Sequence, residues 1–266
     1  MVGRLRLGVI GAGSWAFAAH LPAFARRADV EPAIVCRRDP RLVEDIGSTF
    51  GFRRATTDWH EVIAERPDLV VVAGPAVLHA EQVRAALEAG AHVLCEKPFT
   101  VAPADAWQLT ALARERGSTL MCCYAWNEMG IVEHARRLLH EDGGVGEVEH
   151  VAVDMSTVVR ELLFRLLPIR ATEIAAFAAY PGSTRVELHD AIVARFDGGV
   201  VGTISGAAIP AGTYANQHQL TIRVTTCNWR DFAQNRGSSV CVIGSGRSPV
   251  CWRRSRLSRW CARRWR

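Results

Sequence analysis

No apolar run in this sequence reaches the roughly 18 residues that a membrane-spanning helix needs. Arg4 and Arg6 ahead of an apolar stretch imitate a secretory signal, but a glycine turn interrupts that stretch, so no signal peptide is expected. Paired CxxC units of the zinc-binding kind are missing as well. The eight cysteines are scattered, with Cys36, Cys95, Cys122 and Cys123 inside apolar runs, which points to reduced thiols and a cytoplasmic setting rather than a disulfide framework. Acidic residues almost vanish from the last forty positions, where ten arginines face Asp231 alone and the local charge is +9. The whole chain carries +5, so residues 1–226 stand at −4, and the basicity that would suggest nucleic acid or membrane partners belongs to the tail. What remains is ordinary: 266 residues, 49% hydrophobic and 22% charged, suffice for one large or two ordinary domains with a buried core.

The organising stretch is Leu5 to His20. An apolar run, Leu5-Arg-Leu-Gly-Val-Ile10, breaks into Gly11-Ala-Gly13-Ser14-Trp15-Ala16 and continues as a helix-like apolar segment. This reads as strand, phosphate-binding turn and helix. Gly11 allows the tight turn, Gly13 leaves room for a pyrophosphate, and small Ala16 lets helix and strand pack closely. Free N–H groups and the positive end of the helix dipole attract the anion, with Ser14 and Trp15 in the first turn.

Alternation then continues through the chain. Glu31–Cys36 reads as a second buried strand, followed by Arg37-Arg38-Asp39-Pro40 and a helix to about Phe50. In dinucleotide sites an acid at this strand end holds the ribose 2′-OH of NAD, and arginine accommodates the 2′-phosphate of NADP. Arg37 and Arg38 therefore point to NADP, with NAD as the alternative through Asp39. A short strand near Phe52–Ala55, an Asp58-capped helix, the apolar strand Asp68–Ala73 ended by Gly74-Pro75, a helix over 76–89, the strand Ala91–Cys95, a helix over 104–116 and the strand Thr119–Cys123 follow. The period predicts an α/β fold: an N-terminal doubly wound parallel sheet of Rossmann type over residues 1–124. Residues 125–226 read as a smaller α+β domain of mostly antiparallel sheet, and 227–266 as a basic, irregular tail.

Three stretches in order, Val9-Ile-Gly-Ala-Gly13, Val71-Val-Ala-Gly-Pro75 with Leu78-His79, and Gly90-Ala-His-Val-Leu-Cys-Glu-Lys-Pro98, resemble the Gfo/Idh/MocA oxidoreductases, which include glucose-fructose oxidoreductase and inositol dehydrogenase. The resemblance implies a Rossmann domain followed by a domain whose open antiparallel sheet carries the substrate and often the oligomer interface. It also implies NAD- or NADP-dependent oxidation or reduction of a sugar or polyol carbon. Lys97 then becomes the catalytic candidate: at the carboxyl end of a parallel strand it lies where doubly wound folds bind ligands, and its ammonium can stabilise a developing alkoxide. Glu96 orients Lys97 or the nicotinamide ribose, Pro98 fixes the turn, and Gly74, Pro75 and His79 lie near the cofactor. A histidine in the first turn of a helix serves equally as a cap or packing residue.

The resemblance breaks in the second half. The family carries an aspartate and, four residues on, a histidine facing the substrate; between Met155 and Ala176 no Asp-x-x-x-His occurs. His189 and Asp190 are candidate substitutes, with a sheet-face role the plainer reading. The hairpin around Asp197-Gly-Gly and the strand Gln217–Val224 resume the pattern. The tail, with four of the eight tryptophans, has the composition of a frameshifted reading of a GC-rich gene; nucleic-acid binding is the sharper alternative and lacks a motif. The expectation is an NADP- or NAD-dependent dehydrogenase or reductase acting on a small sugar-like substrate, without a metal, without nucleic acid or membrane partners, and able to form a homo-oligomer. A dinucleotide-binding protein that is inactive, or responds to redox state, is the rival.

Overall fold

Six short strands, mostly apolar and flanked by turn residues, build the first sheet, and a helix follows each of the first five. In the computed structural model, which describes residues 3–128, 130–140, 147–155, 161–179, 189–207, 218–225, 239–245 and 251–253, the chain divides into two compact units, Met1–Tyr124 and Ala125–Arg266.

The first unit contains β1 (Leu5–Ile10), β2 (Val30–Cys36), β3 (Arg54–Thr56), β4 (Leu69–Val72), β5 (His92–Glu96) and β6 (Leu120–Cys123), all parallel, in the order β3-β2-β1-β4-β5-β6. Alternate side chains feed two cores. Leu7, Val9, Val35 and Val71 pack with Leu21, Val43 and Ile46 from α1 (Leu21–Ala25) and α2 (Pro40–Phe50). On the other face Ile10, Ile34, Val70, Val72 and Val93 pack with Val62, Val83, Leu87 and Leu109 from α3 (Trp59–Ala64), α4 (His79–Glu88) and α5 (Pro103–Glu115). Strand order reverses between β1 and β4, and ligands of open α/β sheets bind at the carboxyl ends of such strands.

The first helix departs from the expected regular one. Helical backbone starts at Ser14, but Ala16–His20 form a wider π-turn before α1, and the Leu21 N–H bonds to the Ala16 carbonyl, five residues back. Pro22, inside this run, has no N–H, and its ring crowds the carbonyl four residues earlier, so the preceding turn opens.

The second unit holds α6 (Gly130–His140), α7 (Glu161–Leu166) and a seven-stranded sheet of β7 (Glu147–Met155), β8 (Ala171–Ala179), β9 (His189–Phe196), β10 (Val201–Ala207), β11 (His218–Thr225), β12 (Ser239–Ser245) and β13 (Cys251–Arg253). Its order is β13-β12-β11-β7-β10-β9-β8. Every pairing is antiparallel except β7 with β10. Val132, Ala135, Val151, Val153, Leu163, Leu166, Phe196 and Ile222 form its core. His189 and Asp190 open β9, the strand beside the edge strand β8.

Helix α7 and strand β8 occupy the stretch in which the sequence offers no Asp-x-x-x-His pattern. Within 227–266, expected to be irregular, β12 pairs antiparallel with β11 and β13 with β12; the rest of the tail lies outside the described residues. A neighbouring strand edge supplies backbone partners that local composition does not reveal. Among the described residues no helix is long and apolar enough to cross a membrane.

Helix α5 gives a direct test of these packing assignments, because Leu109 is fully buried and Trp107 is 77% exposed. Leu109→Ala is expected to cost about 2–5 kcal/mol in urea unfolding, and Trp107→Ala within about 0.5 kcal/mol.

Candidate active site

The glycine turn is clamped from both sides. The Gly11 and Ala12 N–H groups donate to the Cys36 carbonyl, both at 3.0 Å, and the Ala73 N–H donates to the Ile10 carbonyl at 2.8 Å. Gly11 has φ +87°, and a Cβ there would stand 2.3 Å from the Gly74 nitrogen. Only glycine fits that approach. Gly13 is different: its nearest neighbour to an added Cβ is the Gly11 carbonyl oxygen at 3.9 Å, so the protein itself does not fill this space. The Phe17 N–H bonds to the Gly13 carbonyl at 2.9 Å. It is the first intrahelical donor, and the N–H groups of Ser14, Trp15 and Ala16 precede it at the amino end. Ser14 and Trp15 are exposed, as is Pro75 beyond the half-buried Gly74.

At the end of β2, Arg37 Nη1 donates to the Ala12 carbonyl at 2.8 Å, tying this arginine to the glycine turn. Arg38 and Arg41 are exposed. Asp39 is engaged elsewhere: its Oδ1 accepts the N–H groups of Arg41 at 3.0 Å and Leu42 at 3.1 Å, capping α2. Neighbouring arginines are matched with acids, Arg27 with Asp29, Arg53 with Glu31, Arg54 with Glu61 and Arg6 with Glu65. Among the described residues, Arg37, Arg38 and Arg41 have no ion-pair partner.

Glu96 closes β5, buried, with both oxygens engaged. Trp15 Nε1 donates to Oε1 at 2.7 Å, His20 Nε2 lies 2.7 Å from the same oxygen, and the Lys97 N–H donates to Oε2 at 3.1 Å. Burial pushes the carboxyl up, but the hydrogen bonds from His20, Trp15 and the Lys97 amide outweigh it and hold Glu96 below its usual range. Cys123, opposite Glu96 on β6, is pushed up to about 11 by burial and by the adjacent carboxylate, so it remains a thiol at neutral pH. Ligand atoms of His20, Glu96 and Cys123 lie within 4.8 Å of one another, a spacing a metal ion could use. The protonated thiol and the two ring nitrogens already on Oε1 make this a donor-saturated carboxylate instead.

Lys97 is exposed, and its ammonium makes no hydrogen bond or ion pair among the described residues. It is also the only lysine in the chain. The Lys97–Pro98 peptide bond is cis. His79 is buried, with Nδ1 2.9 Å from the Pro98 carbonyl and Nε2 3.0 Å from the Gly74 carbonyl. It braces the loops after β4 and β5 from within, and a neutral ring donates to one of these oxygens at a time.

The structure therefore gathers Gly11, Gly13, Ser14, Trp15, Arg37, Gly74, His79, Glu96 and Lys97 along the carboxyl ends of β1, β2, β4 and β5. His20, Cys123 and Arg41 escape sequence reasoning. The opposition of Cys123 and Glu96 follows from strand register, and Arg41 is legible as a third arginine beside the cap of α2. His20 has no such signal: residues five apart stand roughly 140° apart on a regular α-helix, and only the π-turn brings His20 to the same carboxylate as Trp15.

Comparisons with known proteins bear on the family and the fold. Residues 5–124 match the model of an oxidoreductase family, Gfo/Idh/MocA, with an NAD-binding Rossmann fold. Similar curated proteins include a dTDP-3,4-didehydro-2,6-dideoxy-alpha-D-glucose 3-reductase of Streptomyces violaceoruber, 35% identical over 154 residues, 57% of this chain and 44% of the relative. A levoglucosan dehydrogenase of Pseudarthrobacter phenanthrenivorans is 31% identical over 154 residues, 54% of this chain and 39% of the relative. The alignments thus span under half the length of these relatives. Among solved structures, the WlbA dehydrogenase of Bordetella pertussis in complex with NADH and UDP-GlcNAcA superimposes with a TM-score of 0.78 at 19% identity, covering 94% of this chain and 81% of that one, which establishes likeness of fold.

Two stability measurements test the site. Gly11→Ala is expected to cost about 2 kcal/mol or more in urea unfolding through left-handed strain and collision with Gly74, whereas Gly13→Ala leaves the midpoint nearly unchanged. Because Glu96 is held below its unfolded value, it contributes stability that is present above the unfolded pKa and lost as pH falls through the folded one. The advantage of wild type over Glu96→Gln should be full near pH 7 and shrink below about pH 4.

Proposed function

Residues 5–124 make this chain a member of the Gfo/Idh/MocA oxidoreductases, and on that premise we propose that it transfers hydride between a nicotinamide cofactor and a secondary alcohol or ketone of a sugar or polyol-like molecule. The observation that carries this reading is Lys97: an exposed ammonium at the carboxyl end of β5, on a backbone held by buried Glu96.

The residues present fit the cofactor. The space left beside Gly13 and the N–H groups of Ser14, Trp15 and Ala16 suit a pyrophosphate. Gly74, Pro75, His79, Glu96, Lys97 and Pro98 form the loops at the nicotinamide end. Nicotinamide supplies or accepts the hydride. In the oxidising direction the substrate C–H electron pair leaves as hydride and the hydroxyl proton passes to Lys97 as its amine form. In reduction the Lys97 ammonium polarises the carbonyl, and its proton ends on the new hydroxyl.

NADP is the preferred dinucleotide in this proposal. Asp39, the acid that would select a ribose 2′-OH, has its Oδ1 committed to capping α2, while Arg37 and Arg38 lack carboxylate partners among the described residues. The NADH in the WlbA complex belongs to that protein; NAD remains the alternative here. A cytoplasmic setting accords with the free thiols of Cys36, Cys95, Cys122 and Cys123, and a homo-oligomer accords with the exposed apolar side chains Ile174, Phe177 and Val193 on β8 and β9.

The absence of Asp-x-x-x-His between Met155 and Ala176 favours a second reading, a protein that binds the dinucleotide without turnover. Titration with NADPH and NADH, followed by assay against sugars and keto-sugars including levoglucosan, separates the two. Binding with no hydride transfer to any of them supports the second reading. For an active chain, Lys97→Ala should lower turnover about 10²- to 10⁴-fold with cofactor affinity preserved. Arg38→Ala should weaken NADPH about tenfold or more and leave NADH unchanged; an unaltered NADPH-to-NADH ratio removes the arginine from the site.

A further inference from the structure

We propose that His20 and Trp15 are positioning residues for Lys97, acting through the two oxygens of Glu96; the inference rests on the reading that Lys97 performs the proton transfer. Lys97 has no side-chain partner of its own among the described residues, so the placement of its ammonium depends on the backbone that carries it. That backbone is tied through its N–H to Glu96 Oε2. Glu96 is in turn fixed at Oε1 by His20 and Trp15, each at 2.7 Å. Three donors converge on one carboxylate from two chain segments, the π-turn region and the start of the loop after β5.

The π-turn makes this arrangement. Trp15 precedes it and His20 ends it, five residues apart. An α-helical turn would direct them to different faces; i→i+5 bonding aligns them, and Pro22 disfavours the tighter turn. Buried His20, 7% exposed, has Glu96 as its side-chain partner. A displacement of about 1 Å in a reacting group costs on the order of 100-fold in rate, so a carboxylate held at both oxygens matters to the group it carries.

Chemistry at a single lysine makes the test specific. In the full-length protein, acetic anhydride acetylates Lys97 and the α-amino group, and mass spectrometry of separate peptides reads Lys97 alone. His20→Leu, which removes the ring donor, should change the acetylation rate of Lys97 several-fold. His20→Gln, which keeps an N–H near the Nε2 position, should restore the wild-type rate, and Glu96→Gln, which sets an amide donor against the Lys97 N–H, should resemble His20→Leu. Buried Cys36, probed with a thiol reagent in the same samples, must stay slow in every variant; fast Cys36 modification in His20→Leu means general loosening and overturns the proposal. Equal rates in His20→Leu and wild type, or identical changes in His20→Leu and His20→Gln, also overturn it. With levoglucosan as the probe of turnover, kcat of His20→Leu should fall about 10- to 100-fold with the sugar KM nearly constant, and His20→Gln should recover most of it. Absence of wild-type turnover counts against the hydride-transfer reading, whereas the acetylation rates decide the positioning role independently.

Discussion

A Cβ atom on residue 11 would stand 2.3 Å from the Gly74 nitrogen, and this close approach of two backbones governs the first unit. Strand β1 lies between β2 and β4, with α1 and α2 packed on one face of the sheet and α3, α4 and α5 on the other. The turn after β1 is bonded to the end of β2 through Cys36 and the end of β1 to Ala73 after β4. With both sides tied, the backbone of residue 11 passes against Gly74 in a left-handed conformation, and the crevice above is left to a ligand. Gly11 therefore answers to the protein's own packing, while the space beside Gly13 is left unfilled by the protein.

Glu96 is the second constraint. A buried carboxylate is costly unless donors surround it, and here Trp15, His20 and the Lys97 amide supply them, with the Cys123 thiol held protonated beside it. These three donors come from the helix after β1 and the start of the loop after β5, and the thiol comes from strand β6. Pro22, six residues beyond Ala16, thus bears on the surroundings of Glu96, because it sits after the widened turn that delivers His20. His79 performs a related service on the other side, bracing the loops after β4 and β5 through the carbonyls of Gly74 and Pro98.

At the end of β2 one acidic side chain is taken up by a local duty. Asp39 has the chemistry to hold a ribose hydroxyl, yet the first N–H groups of α2 need an acceptor and take its Oδ1. Arg37 is drawn to the Ala12 carbonyl, which fixes its stem near the turn and leaves other guanidinium N–H groups for an anion.

Much of the first unit is legible in the sequence. The strand at Asp68–Ala73, the Asp58 cap, the ending at Gly90 and the Glu96-Lys97-Pro98 turn all lie where period-two and helical patterns put them, since local sterics and burial set those signals. The second unit was less legible. Strand β8 is exposed along most of its length, so it carries no alternation, and β12 exists through its pairing with β11. By itself the sequence determined the alternating strands and helices, the glycine turn and the single lysine at the end of β5. Only the tertiary structure decided that His20 and Trp15 meet on Glu96, that Asp39 caps a helix, and that Gly11 must lack a side chain. Those outcomes depend on backbone approaches between segments far apart in the chain, and no local pattern records such distances.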